Sequence, residues 1–247
     1  TNAYIHIPDE NGLTSVKLEA EEFFEPGTYY IAICPSEFYG GLSFEFENED
    51  GYIATRSIKQ DVELKAGEIK NIGLMKNLNF KPSPEMQKTA EREALIALYE
   101  SAGGESWINN DNWCTELPVS EWYGIEVNYD GYVETVDLSY NKLNGTIPDE
   151  FCNLPKLKHL ILGNNENLTG NIPENIGALS SLVDLSLSWC NFSGNIPESI
   201  TDLDNLECLR LSENKLTGTI PEDMGNMKSL NLLSIARNRL TGSIPAS

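Results

Sequence analysis

Apolar positions recur with one fixed pattern over residues 133–247. The pattern is L-x-x-L-x-L-x-x-N-x-L-x-G-x-I-P, with Val or Ile at some leucine positions, followed by an apolar segment of helical spacing. Five copies begin at Val133, Leu157, Leu182, Leu206 and Leu230, so the period is 24 or 25 residues. This period predicts a solenoid, because one copy has too few apolar residues for its own core and has to stack on its neighbours.

A polar residue recurs where each copy leaves its predicted strand. These residues are Asn141, Asn165, Asn214 and Asn238, and Cys190 takes the position in the third copy. An inward-pointing amide at this position can bond the backbone of its own turn and of the neighbouring turn, which buried groups require. We interpret Cys190 as a tolerated substitution in this asparagine ladder rather than a reactive thiol, since a thiol is small and common in cores.

The second half of each copy carries the motif L-x-G-x-I-P, in which Gly bends the chain and Pro fixes φ. At this period the motif resembles the plant-specific class of leucine-rich repeats, which occurs in plant receptor-kinase ectodomains and polygalacturonase inhibitors. The resemblance covers all five copies. It implies a right-handed leucine-rich repeat solenoid over residues 133–247.

A helix is predicted ahead of the first copy. Ser83 can cap it, Pro84 suits its first position, and Gly103 with Gly104 ends it. One face carries apolar residues at helical spacing, namely Leu95, Leu98, Tyr99 and Ala102. This face predicts packing against the first repeat.

Residues 89–132 resemble the N-terminal cap of plant-type repeats, whose signature is a short helix, tryptophans and W-x-G-V-x-C before the first strand. The matching tryptophans are Trp107, Trp113 and Trp122. The resemblance implies that they seal the open end of the repeat core. Val127 stands where the signature has cysteine, so the usual cap disulfide is not expected.

Residues 1–75 alternate apolar and polar positions with period two instead. The predicted strands are residues 4–7, 16–18, 29–33, 42–46, 52–55, 62–64 and 69–74, with turn clusters between them. Such spacing predicts a small antiparallel β-sandwich, and therefore an α+β chain in which residues 76–88, with Pro82 and Pro84, form a linker.

The order Y-Y-x-A-x-x-P, G-G-L-x-F-x-F, D-G and K-A-G-E-I within residues 29–69 resembles the closing half of fimbrillin-like domains. Surface lipoproteins of Gram-negative gut bacteria carry these domains. The resemblance implies a bacterial cell-surface protein, with an outer-membrane anchor outside this chain.

Charge and cysteine usage exclude several classes of partner. Seventeen basic and 38 acidic residues give a net charge of −21, which repels nucleic acids and anionic membranes. The five cysteines are Cys34, Cys114, Cys152, Cys190 and Cys208. Their odd number and the absence of C-x-x-C argue against a zinc site, and no metal or cofactor is expected. Cys114 and Cys152 are a candidate disulfide, and five free thiols are the alternative.

The strand pleat predicts four columns of side chains that point outward from a concave sheet. The first two columns are Thr135, His159, Asp184, Cys208, Leu232 and Asp137, Ile161, Ser186, Arg210, Ser234. The third column is small (Ser139, Gly163, Ser188, Ser212, Ala236), and the fourth is Tyr140, Asn164, Trp189, Glu213, Arg237. The predicted ligand contacts are Tyr140, Asn164, Trp189, Arg210, Glu213, Arg237, His159 and Asp184. Parallel strands lie about 4.8 Å apart, so Tyr140 and Trp189 are expected about 10 Å apart.

The first column also suggests a cysteine nucleophile, because His159, Asp184 and Cys208 are neighbours there. The strand spacing argues against it, since Asp184 keeps the thiol and the imidazole roughly 10 Å apart and general-base activation needs about 3 Å. Ordinary cross-strand pairs, His159 with Asp184 and Glu213 with Arg237, are expected instead. With no catalytic sequence motif present, we do not expect an enzyme.

The function predicted from these features is non-enzymatic adhesion or recognition at a bacterial surface, with a protein bound on the concave face. Capture of a glycan by Tyr140 and Trp189, as an accessory to carbohydrate uptake, is one alternative. The other is a structural role in a pilus or filament, through association of the sandwich.

Overall fold

The structure is a computed structural model that describes residues 2–9, 12–19, 36–38, 42–47, 52–58, 62–64 and 81–245. The chain divides into two compact units, Thr1–Gln87 and Lys88–Ser247. None of the helices in these described ranges is both long and apolar enough to cross a membrane.

The first unit is built from antiparallel strands. Its strands are β1 (Asn2–Asp9), β2 (Gly12–Glu19), β3 (Ser36–Phe38), β4 (Leu42–Glu47), β5 (Tyr52–Ile58), β6 (Val62–Leu64) and β7 (Lys81–Pro82). One five-stranded sheet has the order β2-β1-β4-β5-β7, and β3 pairs with β6. Five of the predicted strands are thus observed, and those at 29–33 and 69–74 lie outside the described residues. The sandwich itself stays a prediction.

Helix α1 (Pro84–Ser101) begins and ends where the sequence predicts. The Ser83 hydroxyl accepts a hydrogen bond from the Met86 N–H at 3.3 Å, and Gly103 follows the helix in a left-handed conformation with φ of 68°. Residues 84–88, at the end of the predicted linker, therefore belong to the helix. Its buried face carries Leu95, Leu98 and one acidic residue, Glu91.

The second unit repeats one strand per turn. A six-stranded sheet contains β8 (Ile125–Val127), β9 (Val133–Asp137), β11 (His159–Ile161), β13 (Asp184–Ser186), β15 (Cys208–Arg210) and β16 (Leu232–Ser234). A smaller sheet contains β10 (Asn144–Gly145), β12 (Asn167–Asn171) and β14 (Asn191–Ser193). All neighbours are parallel except β8 and β9, which form an antiparallel hairpin around Gly131. Short 3₁₀ turns line the opposite side, at Asp149–Cys152, Ile176–Ala178, Glu198–Asp202 and Glu222–Asn226.

The repeats share one continuous core. Leu160, Leu185 and Leu209 occupy matching positions in adjacent strands and are fully buried. Leu233 continues this row in β16 but is 41% exposed, because no described strand packs on its far side. The burial of each repeat thus depends on the turn that follows it.

A tryptophan cluster, composed of Tyr99, Trp107, Trp113 and Trp122, extends this core toward α1. Its ring centroids are 5.0 to 5.9 Å apart in edge-on, stacked and tilted arrangements, and all three tryptophans are buried. The cluster belongs to the same hydrophobic core as Leu160 and Leu185. Residues 88–132 therefore share their hydrophobic core with the repeats.

Candidate binding surface

The asparagine ladder fixes the backbone behind the candidate surface. Asn165 donates through Nδ2 to the carbonyl oxygens of Leu138 and Leu162, at 2.9 and 2.8 Å. Its Oδ1 accepts from the N–H groups of Asn141 and Leu143, both at 3.0 Å. One side chain thus satisfies four backbone groups of two adjacent turns, which are buried away from water.

The ladder extends beyond the repeats at one end. Asn141 exchanges two hydrogen bonds with the backbone of Asn109, at 2.7 and 2.8 Å. The neighbouring Ile108 N–H donates to the Asn141 carbonyl oxygen at 3.0 Å. The loop at 108–109 therefore adds a further turn to the ladder, and the sequence pattern gave no sign of it.

The first two columns lie on the strands, and Asp184 pairs differently from the prediction. The register places His159 beside Asp184 on the adjacent strand, as expected, but Asp184 forms its ion pair with the guanidinium of Arg210, at 2.6 Å. A guanidinium is always charged, and its long side chain reaches the carboxylate on the neighbouring strand. The predicted pair of Glu213 and Arg237 is present at 2.5 Å.

The strand pleat predicted that the fourth column lies on the strands. The structure instead places it on the turns that follow them. The central strands end at the second column, and all five fourth-column residues adopt the left-handed conformation, with φ between 54° and 61°. They are Tyr140, Asn164, Trp189, Glu213 and Arg237. The first four donate their N–H groups to a third-column carbonyl of the next turn, at 2.8 to 3.2 Å. The turns of Asn164, Trp189 and Glu213 are therefore bonded to the turn before and to the turn after them.

Two members of the fourth column are exposed aromatics. Tyr140 is 70% exposed and Trp189 is 53% exposed, and the half-buried Asn164 lies on the turn between them. Ile108, which is 63% exposed, continues the series beside Asn141. We call Ile108, Tyr140, Asn164 and Trp189 the exposed row. Sequence reasoning missed Ile108, because it lies in a loop without the repeat pattern.

Several of the charges next to the exposed row are paired internally. Three ion pairs join neighbouring turns, namely Glu134 with Lys158, Asp184 with Arg210 and Glu213 with Arg237, at 2.5 to 2.6 Å. The hydrogen bond to Asp184 raises the pKa of Arg210, and burial, the second cause, lowers it in part. Asp137 in the second column is exposed and its carboxylate bonds only Ser139, so among the described residues its charge is not paired.

The four cysteines that the structure describes form no disulfide, and Cys208 forms no close pair with His159. Cys114, Cys152, Cys190 and Cys208 are all free thiols, so the candidate bridge between Cys114 and Cys152 is absent. The strand register places Asp184 between His159 and Cys208, which are therefore two strands apart, about 10 Å. Across the described part of the chain, no three His, Cys, Asp or Glu side chains converge to hold a metal ion.

The family described as leucine-rich repeat region matches residues 133–243. These residues, with their strand-per-turn architecture and asparagine ladder, belong to the leucine-rich repeat family. The chain is similar to a tomato receptor-like protein, EIX2, with 36% identity over 133 residues. That match covers 54% of this chain and only 12% of the tomato protein.

Two solved structures show the same fold at comparable similarity. A chain of the BIR3–SERK2 complex from Arabidopsis thaliana is 30% identical with a TM-score of 0.54, covering 62% of this chain and 84% of that one. A plant ice-binding protein is 30% identical with a TM-score of 0.57, covering 62% of this chain and 49% of that one. Since one structure is a protein complex and the other an ice-binding protein, the fold alone does not specify a ligand.

Proposed function

We propose that this chain is a non-enzymatic recognition protein that binds a protein partner through the exposed row. The observation that carries the proposal is the display of Tyr140 and Trp189 on rigid turns, 70% and 53% exposed. Large aromatic side chains fixed on a scaffold supply most of the binding energy in protein interfaces. Ile108 extends the row with a third large apolar side chain.

The backbone argues that these side chains are held ready for binding. A left-handed conformation is costly for residues other than Gly and Asn, yet Tyr140 and Trp189 both adopt it. Their N–H groups are bonded to Gly163 and Ser212 of the next turn, which holds the conformation in place. The backbone that carries the two rings is therefore ordered before binding, and only their side-chain rotamers have to be fixed by a partner.

The neighbouring charges favour contact through apolar surface. Because Asp184 pairs with Arg210 and Glu213 with Arg237, these four charges are already occupied within the chain and offer a ligand few new ion pairs. The relative in the BIR3–SERK2 complex, by its name an assembly of two proteins, supports a protein partner by analogy. A glycan stacked on Tyr140 and Trp189 is the alternative that the same aromatics favour.

The fimbrillin-like resemblance of the N-terminal segment supports a bacterial cell surface as the location. Residues 1–75 then act as a spacer or attachment for the repeats. Surface proteolysis of intact cells that express the native protein tests this placement, since a protein located inside the cell resists added protease. A filament role predicts concentration-dependent assembly in size-exclusion chromatography, whereas the recognition role does not require it.

The test replaces the aromatics without disturbing the turn. Asn tolerates the left-handed conformation and already occupies this column at Asn164, so Tyr140→Asn with Trp189→Asn removes the rings and keeps the backbone. Tyr129→Asn is the matched control, because Tyr129 is fully exposed in the hairpin turn between β8 and β9. The full chain and both variants are screened against surface proteins by cross-linking with mass spectrometry, and against a glycan array.

The expected result is a protein partner that the full chain and Tyr129→Asn bind equally, with Kd raised in the double variant. Loss of one interface aromatic costs about 2 kcal/mol, so each ring contributes roughly 30-fold in Kd. Equal binding by the double variant would overturn the assignment of the surface. A signal on the glycan array alone, lost in the double variant, would replace the protein partner with a glycan.

A further inference from the structure

Glu91 is an acidic side chain enclosed where α1 meets the first repeat. It is 1% exposed and lies on the same helix face as Leu95 and Leu98. Its Oε2 accepts a hydrogen bond from the N–H of Val133, the first residue of β9, at 2.9 Å. Its Oε1 is buried without any hydrogen-bond partner. One oxygen thus joins the helix to the repeats and the other has nothing to stabilise a negative charge.

The cations near Glu91 do not offset its burial. Burial is the largest influence and raises the pKa of Glu91, while the Val133 hydrogen bond, Lys88 and Lys156 lower it. Lys88 lies over the ring of Tyr132, with Nζ 5.3 Å from the ring centroid. No ion pair of Glu91 is found within residues 81–245. Tyr132 has a raised pKa as well, through burial first and then through the charges of Glu91 and Asp130.

We propose that Glu91 is a proton-dependent latch between α1 and the first repeat. As a neutral acid, Glu91 keeps the contact with Val133 and fits the apolar junction. When it ionises, a charge lies among Leu95, Leu98 and Val133 with one oxygen unsatisfied. The free-energy cost of this buried charge falls when the contact between α1 and the first repeat opens and admits water. Acidification therefore tightens the attachment of α1, and a rise in pH loosens it.

The direction of this pH dependence follows from the coupling between folding and proton binding. The pKa of Glu91 in the folded chain lies above its ordinary value of 4.5, so the folded state binds more protons than the unfolded state between these two pKa values. The stabilisation is complete below the ordinary value and is lost as the pH rises through the folded pKa. Most buried carboxylates that accept several hydrogen bonds show the opposite dependence.

The test compares Glu91→Gln with the native chain. The glutamine side chain is neutral at every pH and retains an oxygen that accepts the Val133 N–H. The matched control is Glu93→Gln, because Glu93 is exposed on the same helix. Hydrogen-exchange protection factors of residues 84–101 and of Val133, corrected for intrinsic exchange, are measured between pH 4 and 8 together with Tm.

In the native chain and in Glu93→Gln, protection of α1 should fall at least tenfold as the pH rises, and Tm should fall in parallel. Glu91→Gln should keep a constant protection factor over this range. Equal pH profiles for Glu91→Gln and the native chain would overturn the proposal. If Glu91→Gln does not fold, carbon-13 NMR titration of the Glu91 carboxyl in the native chain decides, since titration at the ordinary Glu value contradicts the latch.

Discussion

The thiol of Cys190 donates a hydrogen bond to the carbonyl oxygen of Leu162 at 3.4 Å. Asn214 makes the equivalent contact with Leu187 one turn later, at 2.8 Å. The thiol thus replaces the donor half of an asparagine. It does not replace the acceptor half, through which the Oδ1 of Asn214 takes the N–H of Phe192 at 2.9 Å.

One extra residue in the preceding copy compensates for the missing hydrogen-bond acceptor at position 190. Two residues lie between Asn165 and Leu168, whereas one lies between Asn141 and Leu143. The extra residue closes a turn in which the Leu168 N–H donates to the carbonyl oxygen of Asn165, at 2.9 Å. Leu168 therefore needs no acceptor from the next turn, and a thiol is sufficient at position 190.

Deletion of Asn167 should expose this compensation. Without the extra residue, the Leu168 N–H turns toward Cys190, which cannot accept it well, and the chain should lose about 1 to 3 kcal/mol of unfolding free energy. The same deletion combined with Cys190→Asn should recover at least about 1 kcal/mol. Urea denaturation of the two single variants and the double variant measures the coupling. Additive effects would show that the insertion and the cysteine are independent.

Asn165→Ala should be among the most destabilising single substitutions in the repeats. It removes bonds to Leu138, Leu162, Asn141 and Leu143 at once. The Leu162 carbonyl oxygen keeps the Cys190 thiol as a donor, so three buried backbone groups are left unsatisfied. We expect a loss of about 3 kcal/mol or more, since each such group costs roughly 1 to 3 kcal/mol. Asn205→Ala is the control, because the exposed Asn205 makes one bond, to the Ser180 carbonyl oxygen. A similar loss in both variants, measured by urea denaturation, would contradict the ladder as the cause.

The sequence predicts the parts of the fold that repetition dictates. The spacing of Leu160, Leu185 and Leu209 determines the core, and Ser83 with Pro84 determines the start of α1, since each is a local or periodic signal. The partners of Asp184 and the neighbours of Ile108 depend on side-chain length and on a loop without period. The exposed row and the Glu91 contact arise only when distant segments meet, so no single stretch of sequence encodes them.

Gly145 allows the first repeat to approach the end of α1. The flanking residues Asn144 and Thr146 donate to the carbonyl oxygens of Ala102 and Ser101, at 2.8 and 3.1 Å. A Cβ at Gly145 would lie 1.9 Å from the Ser101 carbonyl oxygen. Gly145→Ala should therefore lower the unfolding free energy by about 2 to 4 kcal/mol, through both the clash and the φ of +135°.

Gly242→Ala separates the clash from the backbone strain. Gly242 also has positive φ, +82°, but the nearest atom to its added Cβ is the Thr219 methyl carbon at 3.0 Å. We expect a loss of only about 1 kcal/mol there. Thermal unfolding of both variants should show the larger drop in Tm for Gly145→Ala, and equal drops would mean that strain alone matters.

The four described cysteines should differ widely in reactivity. Burial raises the pKa of Cys152 to about 12 and that of Cys190 to about 11, so their thiolate fractions at pH 8 are about 10⁻⁴ and 10⁻³. Cys114 is exposed and should be alkylated by iodoacetamide in the folded chain, although burial of part of its thiol also raises its pKa. Peptide mass spectrometry before and after denaturation in urea measures the modification of each residue. Rapid labelling of Cys190 in the folded chain would contradict its place in the ladder, and protection of Cys114 that only a reductant removes would indicate that it forms a disulfide after all.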